Sequence, residues 1–444
     1  MSNKKIIQTN SYDDSGPDLE ARTLAHRDKQ LAKGKKGHTL IFRNSTYAKD
    51  HLKFNALIGG IPLFLYNLHS LYRSGAKEVV TVGNNDTRKI HETYCKYFRL
   101  EGFKFVHEGS PDEWSFANTL RKGMAGHYPG YDFSNPEMIE ELKEDVTVIV
   151  TGDTPYIDTD PMVSNSEISD YDFYWLLNAK EVFGPIVDRQ HHLIIDGYGV
   201  KENNWAALKL EKLKQSPFGL GLFNKGFNAR KIDSDGNPQL RLFKELAMRD
   251  RGEFSLEKTI KSFSILGIGW SIKTAFSYGK RCLLKIPEND DNMIKLDSKK
   301  AENFVSHALG IPGYRAKFGI SPDPASALDI DSDSDVIYHE SLLKMASETM
   351  YPHYTELKAF ADNYVKRNGS WGCPFTDNWR EFANKRFEKY GLRAAYNGQG
   401  LIVQQEFSEK DIRDQLDIIE KYRSMKSQSV KDKINIKLEK RNKK

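Results

Sequence analysis

The sequence has few cysteines, no long apolar run and no apolar segment near residue 1. Cys95, Cys282 and Cys373 are the only cysteines in 444 residues, and they are too few and too scattered for a disulfide framework or a zinc site. The longest uncharged apolar stretch, residues 262–272, is much shorter than the roughly 20 residues that cross a bilayer. Residues 1–20 lack the apolar core of a secretory signal. We therefore predict a cytoplasmic protein without a transmembrane segment.

The body of the chain also lacks an excess of basic charge. Ten Lys and Arg against Asp432 and Glu439 give residues 421–444 a net charge of +8, whereas the whole chain carries +5. The other 420 residues therefore sum to −3, so no specific nucleic-acid partner is expected for them. We interpret the tail as a solvated end. Weak attraction of the tail to RNA or to anionic lipid is the alternative.

Strand and helix patterns alternate over the first part of the chain. A polar and mobile arm is predicted for residues 1–37, followed by a first strand at 39–42. Apolar residues at helical spacing, with Pro62 at the start and Gly75 at the end, predict the next helix. Further strands are predicted at 78–82, 103–107 and 146–153, with helices at 87–100, from 115, and within 169–182. This alternation predicts a three-layer, Rossmann-like α/β domain with a mixed, mostly parallel sheet.

The middle of the sequence is less regular, and the end is helical. Strands are predicted at 191–196 and 205–210 around a loop, and near 315–319, with a helix at 298–309. Residues 255–285 are amphipathic, which fits either a buried helix or a helix on a membrane interface. Helices are predicted at 340–367, 376–390 and 408–425. We divide the chain into an arm (1–37), an α/β domain (38–340) and a helical appendage with a basic tail (341–444).

A carboxylate follows the apolar strand that starts at Val146. The strand ends at Gly152-Asp153, and Pro155 prevents further regular pairing. In open α/β sheets, ligands bind beyond the carboxyl ends of the strands. Asp153 is therefore a candidate metal ligand, although an ordinary strand-to-turn junction has the same pattern.

A second acidic cluster comes later, with alternate aspartates from Asp329 to Asp335. It fits a solvated loop, a metal–nucleotide site, or a calcium loop that lacks the required glycine because Ser334 occupies that position. His191 and His192 are interpreted as structural, because adjacent strand residues point to opposite faces.

Five short motifs occur in one order along the chain. They are KFNALIGGIPLFLYNL (residues 53–68), GAKEVVTVG (75–83), NTLRKGM (118–124), GDTPYI (152–157) and DIDSDSDV (329–336). With these motifs in this order, the chain resembles nucleotidyltransferases that have a MobA-like NTP-transferase domain, which is the sugar-phosphate and molybdenum-cofactor type. The resemblance runs from about residue 38 to 338.

The resemblance implies transfer of an NMP unit from an NTP to a small phosphorylated acceptor, such as a sugar or polyol phosphate, with release of pyrophosphate. Such chemistry needs Mg²⁺ on one or two carboxylates and cations near the phosphates. The implied metal ligands are Asp153 and Asp331, and the implied catalytic residues are Lys53 and Asp153. The implied nucleotide-binding residues are Arg43, Ser45, Lys53, Thr119, Arg121 and Gly152.

One difference from that family lies in the first loop, which the family keeps rich in glycine. The loop assigned here, residues 42–53, has none. The side chains of Arg43, Ser45, Thr46 and Lys49 could replace backbone donors, or NTP binding has been lost. A metal-dependent glycosyltransferase using a nucleotide sugar and a non-catalytic binding protein therefore remain alternatives, and a homo-oligomer remains open.

Overall fold

The computed structural model describes residues 4–9, 53–109, 116–130, 145–179, 193–195, 198–209, 211, 295–296, 299, 302, 314–321, 323–330, 333–389, 391–398, 400–403 and 408–442. All structural statements below concern these residues. The first strand predicted at 39–42, the pair His191-His192 and the amphipathic residues 255–285 lie outside them.

Strands and helices alternate up to residue 179. The strands are β1 Lys4–Thr9, β2 Leu57–Ile58, β3 Ile61–Pro62, β4 Val79–Gly83, β5 Phe103–His107, β6 Val146–Thr151, β7 Phe173–Ala179, β8 Leu193–Ile195, β9 Tyr198–Lys209, β10 Lys295–Leu296, β11 Ala316–Ser321, β12 Ala394–Asn397 and β13 Gly400–Val403. The helices are α1 Leu63–Arg73, α2 Asn85–Phe98, α3 Phe116–His127, α4 Asp160–Ser164, α5 Asp333–Met350, α6 Tyr354–Asn368, α7 Pro374–Asp377, α8 Trp379–Lys389 and α9 Glu409–Asn442.

The main sheet is mixed and mostly parallel. β1 lies between β4 and β6 and is parallel to both, and β5 extends the parallel part beyond β4. β9 is antiparallel to β6, β7 and β8. β10 and β11 then add parallel pairs with β8 and β7. This arrangement confirms the predicted α/β fold class.

Helices cover both faces of the parallel part. The side chain of Gln8 donates to the carbonyl of Phe64 in α1 at 2.7 Å and accepts from Thr81 at 3.0 Å. A Cβ atom on Gly123 of α3 would lie 2.5 Å from Cγ2 of Ile7. Because successive strand residues face opposite sides of a sheet, α1 and α3 lie on opposite faces of β1. The α/β part therefore has three layers.

The prediction of a mobile arm is wrong for residues 4–9, because they form the buried central strand β1. The segment KKIIQT contains only two strongly apolar residues, so its sequence resembles a polar end. The structure satisfies its polar groups individually: Lys4 donates to the carbonyl of Asn165 at 2.6 Å, and Lys5 pairs with Glu78 at 2.6 Å. Because β1 ends at Thr9, residues 10–52 separate the first strand from Lys53. These residues contain Gly16, Gly34 and Gly37, unlike the glycine-free loop assigned from the sequence at 42–53.

Two further elements differ from prediction. Residues 173–179, predicted to be helical, form strand β7 between β9 and β11. Their aromatic and branched side chains fit a pleated surface, and a short apolar run has no periodicity that separates the two structures. Residues 198–204, predicted to be a loop, belong to the single long strand β9. The helices and strands predicted between residues 61 and 107 are confirmed as α1, β4, α2 and β5.

The C-terminal helices share one hydrophobic core with the sheet. The same cluster contains Val148 of β6, Leu342 of α5, Phe387 of α8 and Ile419 of α9. The predicted boundary between residues 340 and 341 falls within α5, which starts at Asp333. No helix in the described ranges is both long and apolar enough to cross a membrane.

Candidate functional site at the carboxyl edge of the sheet

The site lies where the parallel strands end and the strand order reverses. After β1 the chain adds β4 and β5 on one side of β1, and β6 on the other. In open α/β sheets such a reversal opens a crevice at the carboxyl ends of the two diverging strands. The strands that diverge here are β1 and β6, whose last residues Thr9 and Thr151 are paired. Gly152 and Asp153 follow immediately and are both buried.

A buried ion pair occupies this edge. Nζ of Lys53 lies 2.6 Å from Oδ2 of Asp153, and the two side chains are only 2% and 4% exposed. The other carboxylate oxygen, Oδ1, accepts a hydrogen bond from the hydroxyl of Thr151 at 2.6 Å. The structure thus brings together the two residues implied to be catalytic, although 100 positions separate them.

The backbone around Asp153 is fixed from α1. Asn67 Nδ2 donates to the carbonyl of Thr151 at 2.8 Å, so the last residue of β6 is tied to the helix on that face of the sheet. Sequence reasoning missed both Thr151 and Asn67. Thr151 carried a weak signal, because a hydroxyl two residues before a carboxylate can bond to it locally. Asn67 carried none, because nothing in the helical pattern of α1 indicates a partner at residue 151.

Lys53 belongs to a short 3-10 turn, Lys53–Asn55, which contacts the residue after β4 through Asn55 and the segment after β6 through Lys53. Asn55 donates to the side chain of Asn84 at 3.3 Å and accepts from the hydroxyl of Thr87 at 3.1 Å. Asn84 is the N-cap of α2 and accepts from the backbone N–H of Thr87 at 3.0 Å. The turn is thus attached on one side to the loop after β4, and Lys53 reaches Asp153 on the other side.

The later acidic motif also meets Asp153. The backbone N–H of Ile330 donates to the carbonyl of Asp153 at 2.9 Å, and Ile330 is fully buried. Asp331, the second implied metal ligand, lies outside the described residues. Asp333, two positions further, is buried and accepts two hydrogen bonds from Arg386, at 2.8 and 3.0 Å. Sequence reasoning had no means of finding Arg386, which lies 53 positions from its partner.

The structure describes only some of the implied nucleotide-binding residues. Thr119 is buried in the first turn of α3. The end of that helix, His127, contacts the carbonyl of Ile6 near the start of β1, so the helix N-terminus faces the carboxyl edge. Arg121 lies in the same helix, but its side chain is not among those that the structure describes. Arg43 and Ser45 lie outside the described residues.

The segment that follows Asp153 is held in place by α9 and by residues 323–326. Asp158 and Asp160 both bind Lys426 of α9, at 2.5 and 3.2 Å. The backbone N–H of Asp158 donates to the hydroxyl of Ser326 at 3.0 Å, and that hydroxyl donates to Asp323. Burial raises the pKa of Asp323, and the negative charge of Asp158 raises it further. Residues 323–326 and α9 thus fix the chain that leaves the site.

Among the described residues at this edge, Asp153 supplies one carboxylate of the type that a magnesium site uses. In proteins Mg²⁺ takes one or two carboxylates and completes its shell with water and substrate phosphates. Asp153 offers a buried carboxylate that already has a cation, the Lys53 ammonium, as its partner. Among the described side chains, no group of three or more His, Cys, Asp and Glu residues is placed to hold a metal ion.

Comparison with known proteins gives no match to a protein-family model and none to a curated protein. Solved structures match at low identity. They include a hypothetical transferase from Thermus thermophilus, with 13% identity, TM-score 0.39 and coverage of 76% of this chain and 100% of that one. A putative glucose-1-phosphate thymidylyltransferase from Bacillus anthracis matches with 11% identity, TM-score 0.28 and coverage of 66% and 85%. The inositol-1-phosphate CTP transferase from T. maritima matches with 12% identity, TM-score 0.28 and coverage of 48% and 74%. Because these TM-scores lie below 0.5, they do not decide what this chain does.

Proposed function

We propose that this chain is a cytoplasmic, Mg²⁺-dependent nucleotidyltransferase of the MobA-like NTP-transferase type. It transfers NMP from an NTP to a small phosphorylated acceptor, such as a sugar or polyol phosphate, and releases pyrophosphate. The observation that carries the proposal is the buried Lys53–Asp153 pair at the carboxyl edge of β6, next to the reversal of strand order. The ordered motifs in the sequence, which include both of these residues, also support it.

Asp153 and Asp331 would hold the metal, and Lys53 would bind phosphate. When bound, Mg²⁺ would neutralise the negative charge that develops on the transferred phosphoryl group. The ammonium of Lys53 has a carboxylate partner in the structure, and a triphosphate oxygen is the natural alternative partner for it. Binding of the nucleotide would therefore transfer Lys53 from Asp153 to phosphate and leave a carboxylate oxygen available.

The acceptor is already anionic, so no general base is needed to activate it. The residues at this edge then have to orient two phosphorylated groups and to screen their mutual repulsion. Thr151 and Asn67 fix Asp153 and the strand end, and such preorganisation is the main contribution of a protein to phosphoryl-group transfer. Thr119, at the N-terminal turn of α3, would contact the nucleotide, where backbone N–H groups favour anions.

The first test is a thermal-shift panel with ATP, CTP, GTP, UTP and dTTP, each with and without Mg²⁺. A nucleotide at 100 times its Kd adds about 2.7 kcal/mol to the free energy of unfolding. We expect a Mg²⁺-dependent shift for one nucleotide in the wild type. The shift should be absent in the double variant Lys53→Met/Asp153→Leu, which removes both charges together.

The matched control is Asp362→Asn, which removes an exposed carboxylate of α6 and should leave the shift intact. The nucleotide that gives the shift is then incubated with sugar and polyol phosphates, and pyrophosphate is measured. Release of pyrophosphate only with an acceptor present supports the proposal. A shift that remains in the double variant contradicts the assignment of Lys53 and Asp153 to the nucleotide site. Release of nucleoside diphosphate from a nucleotide sugar would instead identify a glycosyltransferase, and binding without any product would identify a non-catalytic protein.

A further inference from the structure

The turn that carries Lys53 is held through Asn55, which is its last residue and is fully buried. The side chain of Asn55 contacts the start of α2. Its amide nitrogen donates to Oδ1 of Asn84 at 3.3 Å, and its amide oxygen accepts from the hydroxyl of Thr87 at 3.1 Å. Both of these contacts use the side chain of Asn55 and not its backbone.

The backbone carbonyl of Asn55 is bound from the C-terminal part of the chain. Oγ1 of Thr376, in the short helix α7, donates to this carbonyl at 3.2 Å, although 321 positions separate the two residues. Thr376 is only 1% exposed. Because a buried carbonyl without a donor is costly, the hydroxyl of Thr376 restricts where the turn can lie.

The segment that carries Thr376 is itself fixed beside α2. The carboxylate of Asp377 accepts from the N–H groups of Trp371 and Cys373, at 2.7 and 3.1 Å, and so holds the preceding loop against α7. Sγ of Cys373 lies 3.5 Å from the carbonyl oxygen of Asp86, in the first turn of α2. Thr376 therefore approaches the turn from a segment that contacts the same helix as the side chain of Asn55 does.

The contact between Lys53 and Asp153 depends on the position of this turn. One residue separates Asn55 from Lys53, and the N–H of Ala56 donates to the carbonyl of Lys53 at 3.1 Å, so the turn moves as a unit. Nζ of Lys53 lies 2.6 Å from a buried carboxylate oxygen. Misplacement of a positioned group by about 1 Å can cost about 100-fold in rate, so a small displacement of the turn matters.

We propose that Thr376 is a positioning residue for Lys53. Its hydroxyl, together with Asn84 and Thr87, fixes the turn so that the ammonium of Lys53 lies where a nucleotide phosphate binds. The C-terminal part of the chain thereby takes part in nucleotide binding through the backbone of Asn55. This inference rests on the proposed function, in which Lys53 binds phosphate.

The test measures the nucleotide affinity of the full-length chain by isothermal titration calorimetry, with ATP, CTP, GTP, UTP and dTTP, each in the presence of Mg²⁺. Thr376→Val removes the hydroxyl and keeps the shape of the side chain, whereas Thr376→Ser keeps the hydroxyl. A hydrogen bond to a charged group contributes about 10- to 100-fold to affinity, and we expect Thr376→Val to weaken binding by about the lower figure. Thr376→Ser should bind as the wild type does.

The matched control is Tyr314→Phe. The hydroxyl of Tyr314 is also buried and also donates to a backbone carbonyl, that of Asp172, at 3.1 Å. Asp172 precedes β7, which runs in the same direction as β6 because both are antiparallel to β9. This bond therefore lies at the opposite edge of the sheet from the site, and its loss should leave nucleotide affinity unchanged.

The outcomes separate this inference from the proposed function. Wild-type affinity in Thr376→Val, together with loss of binding in Lys53→Met/Asp153→Leu, would overturn the inference and leave the proposed function intact. An equal loss in Thr376→Ser or in Tyr314→Phe would also overturn it, because the effect would then be a general one on the fold. If Thr376→Val does not fold, Thr376→Ala repeats the test with a smaller side chain. Absence of binding of all five nucleotides to the wild type would overturn the proposed function and this inference with it.

Discussion

The most direct test of the site is a double-mutant cycle on Lys53 and Asp153. The ammonium and the carboxylate are nearly inaccessible to water and lie 2.6 Å apart. Replacing one partner leaves the other charge buried without compensation, which costs about 3–5 kcal/mol. We therefore expect Lys53→Met and Asp153→Leu each to lower the free energy of unfolding by that amount.

The double variant should recover most of the loss. An apolar pair of similar volume in place of a buried ion pair is often neutral or stabilising, so we expect Lys53→Met/Asp153→Leu within about 1 kcal/mol of the wild type. The predicted coupling between the two positions is therefore large, whereas independent positions would show additive losses.

Urea denaturation measures these values directly, and thermal unfolding checks them. An unfolding entropy of about 2.1 cal/mol/K per residue gives roughly 0.9 kcal/mol/K for 444 residues that unfold in one transition. A loss of about 3–5 kcal/mol then lowers Tm by about 3–5 °C.

An exposed pair serves as the control for this cycle. Lys385 and Glu381 of α8 lie 2.7 Å apart, but their side chains are 72% and 67% exposed. Lys385→Met should leave the free energy of unfolding close to that of the wild type, because exposed ion pairs contribute little to stability. If Asp153→Leu costs as little as this control, the reasoning about a buried and paired Asp153 is refuted.

Three further predictions concern the surroundings of the site. Gly123→Ala should cost about 1–3 kcal/mol by denaturation, because its Cβ would meet Ile7 at 2.5 Å and push α3 from the sheet; Gly398→Ala, with open space around it, is the control. Burial lowers the pKa of His127 from 6.5 to about 4. Between these two pH values His127 is therefore protonated in the unfolded chain and neutral in the folded chain. Stability should therefore fall as the pH drops from about 6.5 towards 4, and His127→Gln should reduce that slope; an unchanged slope contradicts the assignment. Arg99 ends α2 with a φ of 58°, and Arg99→Gly should stabilise the chain by about 0.5–1 kcal/mol by relieving a left-handed conformation. A loss of stability there would contradict that account.

The sequence was sufficient to predict those helices and strands whose pattern lies within their own residues. α1 carries an apolar face between Pro62 and the glycine at 75, and β6 is a β-branched run, so each is recognisable without its neighbours. β1 was missed because its central position depends on partners far along the chain. Gln8 is polar, yet it is buried in the sheet because Phe64 and Thr81 satisfy its side chain. No local pattern reports those partners.

The candidate site divides in the same way. Asp153 follows from a strand end that the sequence makes visible, and Lys53 from a motif. The distance between them, the hydrogen bond from Ile330, and the Arg386–Asp333 pair are tertiary contacts between segments that the sequence does not connect. The predictions for Arg43, Ser45, Arg121 and Asp331 remain predictions, because their side chains are outside the described residues.

The central position of β1 has a consequence for the order in which the sheet forms. β1 precedes both of its neighbours in the chain, and Ile6 pairs with Val79 and with Val148. A chain made from its N-terminus therefore exposes β1 until β4 has been made, and leaves one of its edges open until β6 follows. Unpaired strand edges invite pairing with other chains. Thr9 pairs with Thr151 at the end of β6, so the crevice beside Asp153 cannot form until β6 has been made, whereas β7 to β11 of the same sheet still follow.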